Sequence, residues 1–479
     1  MKITFLNPPF HKKFSRPQRS PAVTKSGTLY YPMWLAHAAA LCDSVGHEID
    51  FIDAPADELN LVNVIQRVTA FAPELLVVET STPSIYNDVH VCNKLKEALP
   101  SIFITLVGTH VSALPKESLE LSESIDAVTI GEYDYTIKEL ADKVDIKTIN
   151  GLCYRLGKDI FFTEKRQLIA DIDSLPFVST IYKKFLKMEN YFNPNALHPM
   201  VTITASRGCP QQCIFCIYPQ TMMGHKFRLR SVEKVVKEIT YIVENFPGVK
   251  SIFFEDDTFT VTRKRCIEIS DGIMQSGIKI SWTANSRVDL DYETMKIMKR
   301  AGCRCLCVGF ESGSQILLDN IKKHITTEKT AKFMENAKKA GILIHGCFIV
   351  GLPGETKQTM EETLSFAKKL NSDTVQFYPI MVYPGTEAYN WYKERGLIST
   401  NDFSKWLTPA GLHNSVVRSE NLTAKELVSF CDHARRSFYL RPTYILYKLK
   451  QSLLDADELR RNVKSAKTLF KHLIRGSDI

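Results

Sequence analysis

The sequence predicts an α/β protein in three parts. These are a flavodoxin-like, doubly wound domain over 1–146, a partial (β/α)6 barrel over 201–395 and a helical, basic C-terminal region over 396–479. Two observations carry the first two parts. Short apolar runs alternate with helix-patterned stretches through the first 145 residues, and the alternation resumes at residue 201 in longer units. Strands that alternate with helices imply a parallel sheet covered on both faces. The third part rests on Leu459, Val463, Ala466, Phe470 and Leu473, which fall at helical spacing on one face.

In the first part, apolar runs at 3–6, 49–52, 75–78, 102–107 and 127–130 are short and bounded by Gly, Pro, Asp or Thr. Helical stretches fall near 32–45, 59–71, 84–98 and 134–144. Such a sheet takes ligands beyond the C-terminal ends of its strands. Residues 147–200 break the rhythm and read as a linker, with a short hairpin from strands near 151–154 and 160–162. From residue 201, strands are expected at 201–205, 251–255, 279–284, 305–310, 343–350 and 374–381. Helices are expected near 231–245, 262–275, 291–300, 313–321, 327–340 and 356–370. Six units are too few to close an eight-fold barrel, so an open half-barrel follows.

The chain of 479 residues is 44% hydrophobic and 24% charged, enough for a sizeable core without disorder or a disulfide scaffold. The opening MKITFLNPPF reads as a strand and turn rather than a signal peptide. The apolar run 341–354 is too short to span a bilayer and contains His345, so a cytoplasmic location is expected. Twelve cysteines, clustered rather than spread, point to metal or redox chemistry in a reducing compartment. Of the net charge of +8, the segment 441–479 supplies +5, from nine Lys/Arg against four Asp/Glu. That segment reads as a solvated helix face, the alternative being peripheral contact with the inner face of a membrane.

The segment carrying the chemistry is Ser206-Arg-Gly-Cys209-Pro-Gln-Gln-Cys213-Ile-Phe-Cys216. It follows the expected strand 201–205, at the end where α/β barrels hold their active sites. Closely spaced thiolates on a loop can turn onto one 4Fe–4S cubane. Three such ligands leave one iron open, whereas structural sites are closed by four. A zinc site completed from elsewhere, or three core cysteines, are the alternatives. Cys303, Cys305 and Cys307 alternate along a strand and read as small side chains inside the barrel.

With Cys209, Cys213 and Cys216 spaced in this way after a barrel strand, the chain resembles the radical S-adenosylmethionine (SAM) superfamily. The resemblance implies a 4Fe–4S cluster on the three cysteines and SAM beside it. By the same resemblance, Phe215 lies by the adenine, and Glu255 and Asp256, in FFEDD, receive the methionine amino group. Arg287, in NSRVD, and Glu311 with Ser312, in GFESGS, meet the carboxylate and ribose. Gly351, Pro353 and Gly354, in FIVGLPGE, form a turn by the adenine. Alone, FFEDD is a strand ending in a helix-capping acidic pair and GLPG is a turn; order and spacing behind the cysteines join them.

A doubly wound domain ahead of such a barrel resembles the cobalamin-binding subclass. Its expected cobalamin contacts are Pro8, Thr80, Ser81, Thr82, Gly108, Thr109, His110, Gly131 and Glu132, all at strand C-terminal ends. The chain lacks Asp-x-His-x-x-Gly, so no lower histidine ligand to cobalt is evident, and it lacks Gly-x-Gly-x-x-Gly, which argues against NAD. A domain serving only as scaffold, with His110 as an ordinary loop histidine, is the alternative. The stretch 218–231, with Arg441, Pro442 and the basic tail, resembles the hopanoid-biosynthesis-associated branch, which implies a lipid head group as substrate. The resemblance as a whole implies methylation or rearrangement of an unactivated carbon, and an electron donor such as flavodoxin or ferredoxin. No nucleic-acid partner is expected. The competing classes are a methylthiotransferase-like RNA-modifying enzyme, which would carry a second three-cysteine set, and a non-enzymatic cluster or cobalamin carrier.

Overall fold

In the computed structural model, residues 1–419 and 421–454 are described. The expected apolar stripe from Leu459 to Leu473, and the basic tail beyond 454, lie outside the described residues.

The first sheet has five parallel strands: β1 (Lys2–Asn7), β2 (Glu48–Asp53), β3 (Leu75–Glu79), β4 (Phe103–Val107) and β5 (Ala127–Thr129), in spatial order β2-β1-β3-β4-β5. That is the doubly wound order expected for a flavodoxin-like domain. Its inner strands are apolar on both faces because helices cover both; Leu75 through Val78 are all buried. The hairpin expected in 147–200 does more than link. Its strands β6 (Leu152–Leu156) and β7 (Asp159–Phe162) add antiparallel to β5 through Thr129 and Leu152, extending the sheet to seven strands.

The second sheet is the half-barrel. β8 (Met200–Ile203) leads into the cysteine loop, which begins with β9 (Ser206–Arg207) paired antiparallel to β10 (Arg228–Leu229). The wall continues through β11 (Ser251–Phe254), β12 (Ser281–Ser286), β13 (Cys303–Glu311), β14 (Leu343–Val350) and β15 (Thr374–Pro379). β8 and β11 to β15 lie side by side in chain order, all parallel. The connecting helices start on side-chain caps. Ser231, Thr262, Asp291, Thr326 and Thr356 each accept a backbone N–H three residues on. Each cap contributes about 1 kcal/mol and fixes where a loop gives way to its helix.

An open half-barrel leaves edge strands that need cover. At β15 the cover is the helix Ala424–Tyr439. Arg435 donates to the Phe377 carbonyl at 2.9 Å, and the Tyr439 hydroxyl bonds both the N–H and the C=O of Val375 at 2.8 and 2.6 Å. The helix Pro442–Leu454 follows directly.

The two sheets are joined by a buried ionic lattice. Arg207, two residues before Cys209, pairs with Glu132 at 2.7 Å and Asp134 at 2.8 Å, and Arg228 pairs with the other Glu132 oxygen at 2.7 Å. A second tie is the long loop after β1, which runs from Pro8 to Pro32 and crosses from the first domain to the barrel. Arg16 on this loop pairs with Asp88 at 2.5 Å, both side chains being fully buried.

Candidate active site

The cysteine loop is shaped by its own backbone. Gly208 has φ +80°, and a Cβ there would fall 2.4 Å from the Lys226 carbonyl oxygen, so glycine alone fits between Arg207 and Cys209. Gln220 then brackets the loop from within. Its amide donates to the carbonyls of Cys213, Ile214 and Cys216 at 3.2, 3.1 and 2.9 Å.

Cys209, Cys213 and Cys216 all line one cavity of about 850 Å³, together with Phe215. Among the described residues no three His, Cys, Asp or Glu side chains surround a single metal ion. A cubane is held at separate corners, so its ligands need not meet at one point. Burial pushes the Cys213 and Cys216 thiols up from their ordinary range. Thiolates in this wall therefore call for a positive partner, which cluster iron would supply.

Opposite the cysteines, the ends of β11, β12 and β13 present carboxylates and cations. Glu255, Asp257, Arg287, Glu311 and Lys323 line the same cavity. One oxygen of Glu255, one of Glu311 and both of Asp257 are buried without a hydrogen-bond partner. Buried acceptors of this kind cost stability unless a ligand completes them. Burial raises both Glu255 and Asp257 above the usual carboxylate range, and the Arg19 guanidinium opposes that rise. Arg19, on the loop after β1, donates to Glu255 at 2.6 Å and to the Asp256 carbonyl at 2.9 Å. Glu311 has φ +63°, a left-handed conformation that costs a non-glycine residue about 1–2 kcal/mol, and its carboxylate accepts from Lys323 at 2.6 Å.

Other expected SAM contacts lie elsewhere. The Asp256 carboxylate turns back to the Ala205 N–H at 3.1 Å and to the Ser206 hydroxyl, bracing the end of β8, and burial moves its pKa up to about 6. Asp257 faces the cavity in its place. Ser312 bonds Thr363 at 3.0 Å outside the cavity wall. The turn of Gly351, Pro353 and Gly354 also stays outside; Gly351 donates to Glu355 at 3.0 Å and Pro353 accepts from Asn320 at 2.9 Å.

The expected cobalamin contacts do not reach this cavity. Pro8, Thr80, Ser81, Thr82, Gly108, Thr109, His110 and Glu132 are buried, and Gly131 is partly exposed. They bond largely within the chain: Thr80 to the Val107 carbonyl at 2.8 Å, Ser81 to Ser84 at 2.7 Å and Thr82 to His110 at 3.1 Å. Glu132 is committed to Arg207 and Arg228. The Phe403 ring closes over His110 at 5.0 Å, and Trp406 backs Phe403 at 5.3 Å. In this conformation only Gly131 among the expected contacts is partly exposed. The residues of the first domain that do enter the cavity come from the loop after β1, among them Arg19, Ser20 and Tyr30. Sequence reasoning missed Arg19, Gln220, Asp257 and Lys323.

Two family models match the chain: the Radical SAM superfamily over residues 203–367 and the B12 binding domain over residues 19–141. An uncharacterized methyltransferase of Pyrococcus horikoshii is 33% identical over 93% of this chain and 94% of its own length. The chain belongs to the B12-binding radical SAM family. This radical SAM protein is also 26% identical, over 93% of its length, to the anaerobic magnesium-protoporphyrin IX monomethyl ester cyclase of Cereibacter sphaeroides, covering 72% of that protein. Its fold matches the radical SAM methyltransferase TsrM of Kitasatospora setae, solved with cobalamin and a [4Fe–4S] cluster bound. The TM-score is 0.68 at 15% identity, over 92% of this chain and 89% of that one. The fold and enzyme class read from the sequence are thus those of the family.

Proposed function

We propose that this enzyme methylates an unactivated carbon of a substrate held in the 850 Å³ cavity, with SAM bound between the three cysteines and the Glu255–Asp257 wall. The observation that carries the proposal is the convergence, on one cavity, of three thiols from the cysteine loop and four buried carboxylate oxygens, on Glu255, Asp257 and Glu311, that have no hydrogen-bond partner. A 4Fe–4S cluster on Cys209, Cys213 and Cys216 would supply the electron that cleaves one SAM to methionine and a 5′-deoxyadenosyl radical, and cobalamin on the first domain would carry the methyl group of a second SAM to the substrate radical, leaving S-adenosylhomocysteine.

The chain's own residues do the rest. The open oxygen of Glu255 and the Asp257 carboxylate accept N–H bonds from the methionine amino group, and Arg19 opposes the rise that burial imposes on the Glu255 pKa. Lys323 holds one oxygen of Glu311 and leaves the other for a ribose hydroxyl. Arg287 is anchored to Asp289 at 3.1 Å and to the Lys323 carbonyl at 3.0 Å, so its charge is fixed where a carboxylate would lie. Burial of these groups excludes water from a radical that reacts with whatever is nearest.

The apolar half of the cavity supports an amphiphilic substrate. Ile349, Phe377, Ile380, Met381 and Val428 line it away from the cysteines. The test is anaerobic reconstitution followed by product analysis. Iron and sulfide uptake with formation of both 5′-deoxyadenosine and S-adenosylhomocysteine is expected. 5′-Deoxyadenosine alone would favour radical rearrangement, and cluster uptake without SAM cleavage would reduce the protein to a carrier.

A further inference from the structure

The cavity does not end inside the barrel. Beyond β15 its wall is formed by Tyr439, Leu440, Tyr444, Ile445, Lys448 and Leu449, from the two C-terminal helices. Leu440, Ile445 and Leu449 also face solvent, so they form a rim shared by the cavity and the outer surface.

The helix Pro442–Leu454 is fixed in orientation by its inner face. The Tyr444 hydroxyl donates to the Asp373 carbonyl at 2.7 Å, and the Tyr447 hydroxyl and Gln451 amide donate to the Asp373 carboxylate at 2.8 and 2.9 Å. With positions 444, 447 and 451 turned inward, 446, 449 and 453 form a leucine stripe on the outside. Leu446 is 66% exposed and Leu453 is 87% exposed. A stripe of large apolar side chains running unbroken into a cavity is not ordinary solvated surface. The helix and the residue before it carry only cations as charged groups, Arg441, Lys448 and Lys450; Lys448 pairs with Asp373 at 3.5 Å, and the next acidic residue in the sequence is Asp455. An exposed apolar stripe on a helix that carries cations is the pattern of a helix lying on a membrane surface.

We propose that the helix Pro442–Leu454 docks on an anionic lipid surface. Leu446, Leu449 and Leu453 enter the acyl boundary, Lys450 meets the head groups, and the cavity mouth faces the bilayer, from which an amphiphilic substrate passes to the radical site. The inference rests on the cavity being the substrate site, as proposed above.

The experiment uses the full-length, cluster-loaded chain with vesicles of phosphatidylcholine alone or mixed equally with phosphatidylglycerol. Co-sedimentation is compared for wild type and the double variant L446E/L453E, whose residues lie outside the cavity lining. Wild type is expected to bind the anionic vesicles, more weakly at high salt, and the variant to lose binding by about tenfold or more. Absence of wild-type binding, or equal binding by the variant, overturns the docking. So does a stable dimer in solution that L446E/L453E dissociates, since the stripe would then serve a second copy. In the same samples, SAM is added to the reduced cluster and its EPR spectrum recorded. A normal SAM-induced change without vesicle binding ends this inference alone, whereas its absence ends the proposed function.

Discussion

The substitution Arg19→Gln probes the cation that no local motif announced. Arg19 pairs with Glu255 at 2.6 Å and approaches Asp257 at 3.6 Å, with about a third of its side chain exposed to the cavity. Two unit charges about 4 Å apart interact by about 4 kcal/mol at an effective dielectric of about 20. Halving that for the exposure of Arg19 leaves about 2 kcal/mol holding Glu255 ionised. Without Arg19, burial and the neighbouring Asp257 charge raise the Glu255 pKa further, against only the Asn285 side chain. A protonated Glu255 loses an acceptor for the amino N–H, so SAM affinity at neutral pH should fall, by at most about thirtyfold. The loss should shrink at higher pH, where the carboxyl ionises again, and Arg19→Lys should restore most of it. The assay is SAM titration of the reconstituted protein by equilibrium dialysis between pH 6.5 and 9. Tighter binding by Arg19→Gln, or a pH-independent loss, would refute the reasoning: the first would make Arg19 a competitor for the site, and the second a merely structural strut.

Three further outcomes follow from the same geometry. Replacing any one of Cys209, Cys213 or Cys216 by Ala should abolish stable cluster assembly while leaving far-UV circular dichroism unchanged; iron and sulfide analysis decides, and full cluster uptake by any one variant would remove that residue from the ligand set. Glu132→Gln breaks a pair buried between Arg207 and Arg228 and should cost about 3–5 kcal/mol in urea unfolding, an effect that a cofactor contact alone would not produce in the cofactor-free protein. Burial raises the Glu79 pKa to about 8, so the contribution it makes as the buried acid is lost as pH rises from the ordinary carboxyl range to that value. Glu79→Gln should therefore melt above wild type at pH 9 and approach it at about pH 4; a difference of the opposite sign at pH 9 would mean Glu79 is stabilised as the anion.

Much of the architecture was legible because parallel strands buried on both faces leave unbroken apolar runs. The run 343–350 coincides with β14, and the helix at 327–340 begins and ends where its Thr326 cap and Gly341 place it. Legibility fails where partners are far apart in the chain. Arg19 meets Glu255 across 236 positions, and Glu132 meets Arg207 across 75, so a buried acid at a strand end reads as a cofactor contact until its arginine is seen. The FFEDD segment misleads for a local reason. β11 ends at Phe254, the alternation of a strand stops there, and the chain turns Asp256 back to Ala205 while Asp257 takes the cavity side. His110 lies just past β4, in the short helix Thr109–Ala113, and the Phe403 ring that covers it arrives from almost three hundred residues later, which nothing local signals.

Cys209, Cys213 and Cys216 would hold the cluster, and Glu255 would orient SAM's amino group toward it. ENDOR spectroscopy of the reduced cluster with SAM labelled at its methionine nitrogen tests this arrangement most directly. Hyperfine coupling between that nitrogen and the cluster is predicted in the wild type, and it should weaken in Glu255→Gln. A fully assembled cluster showing no coupling to the label would contradict the arrangement.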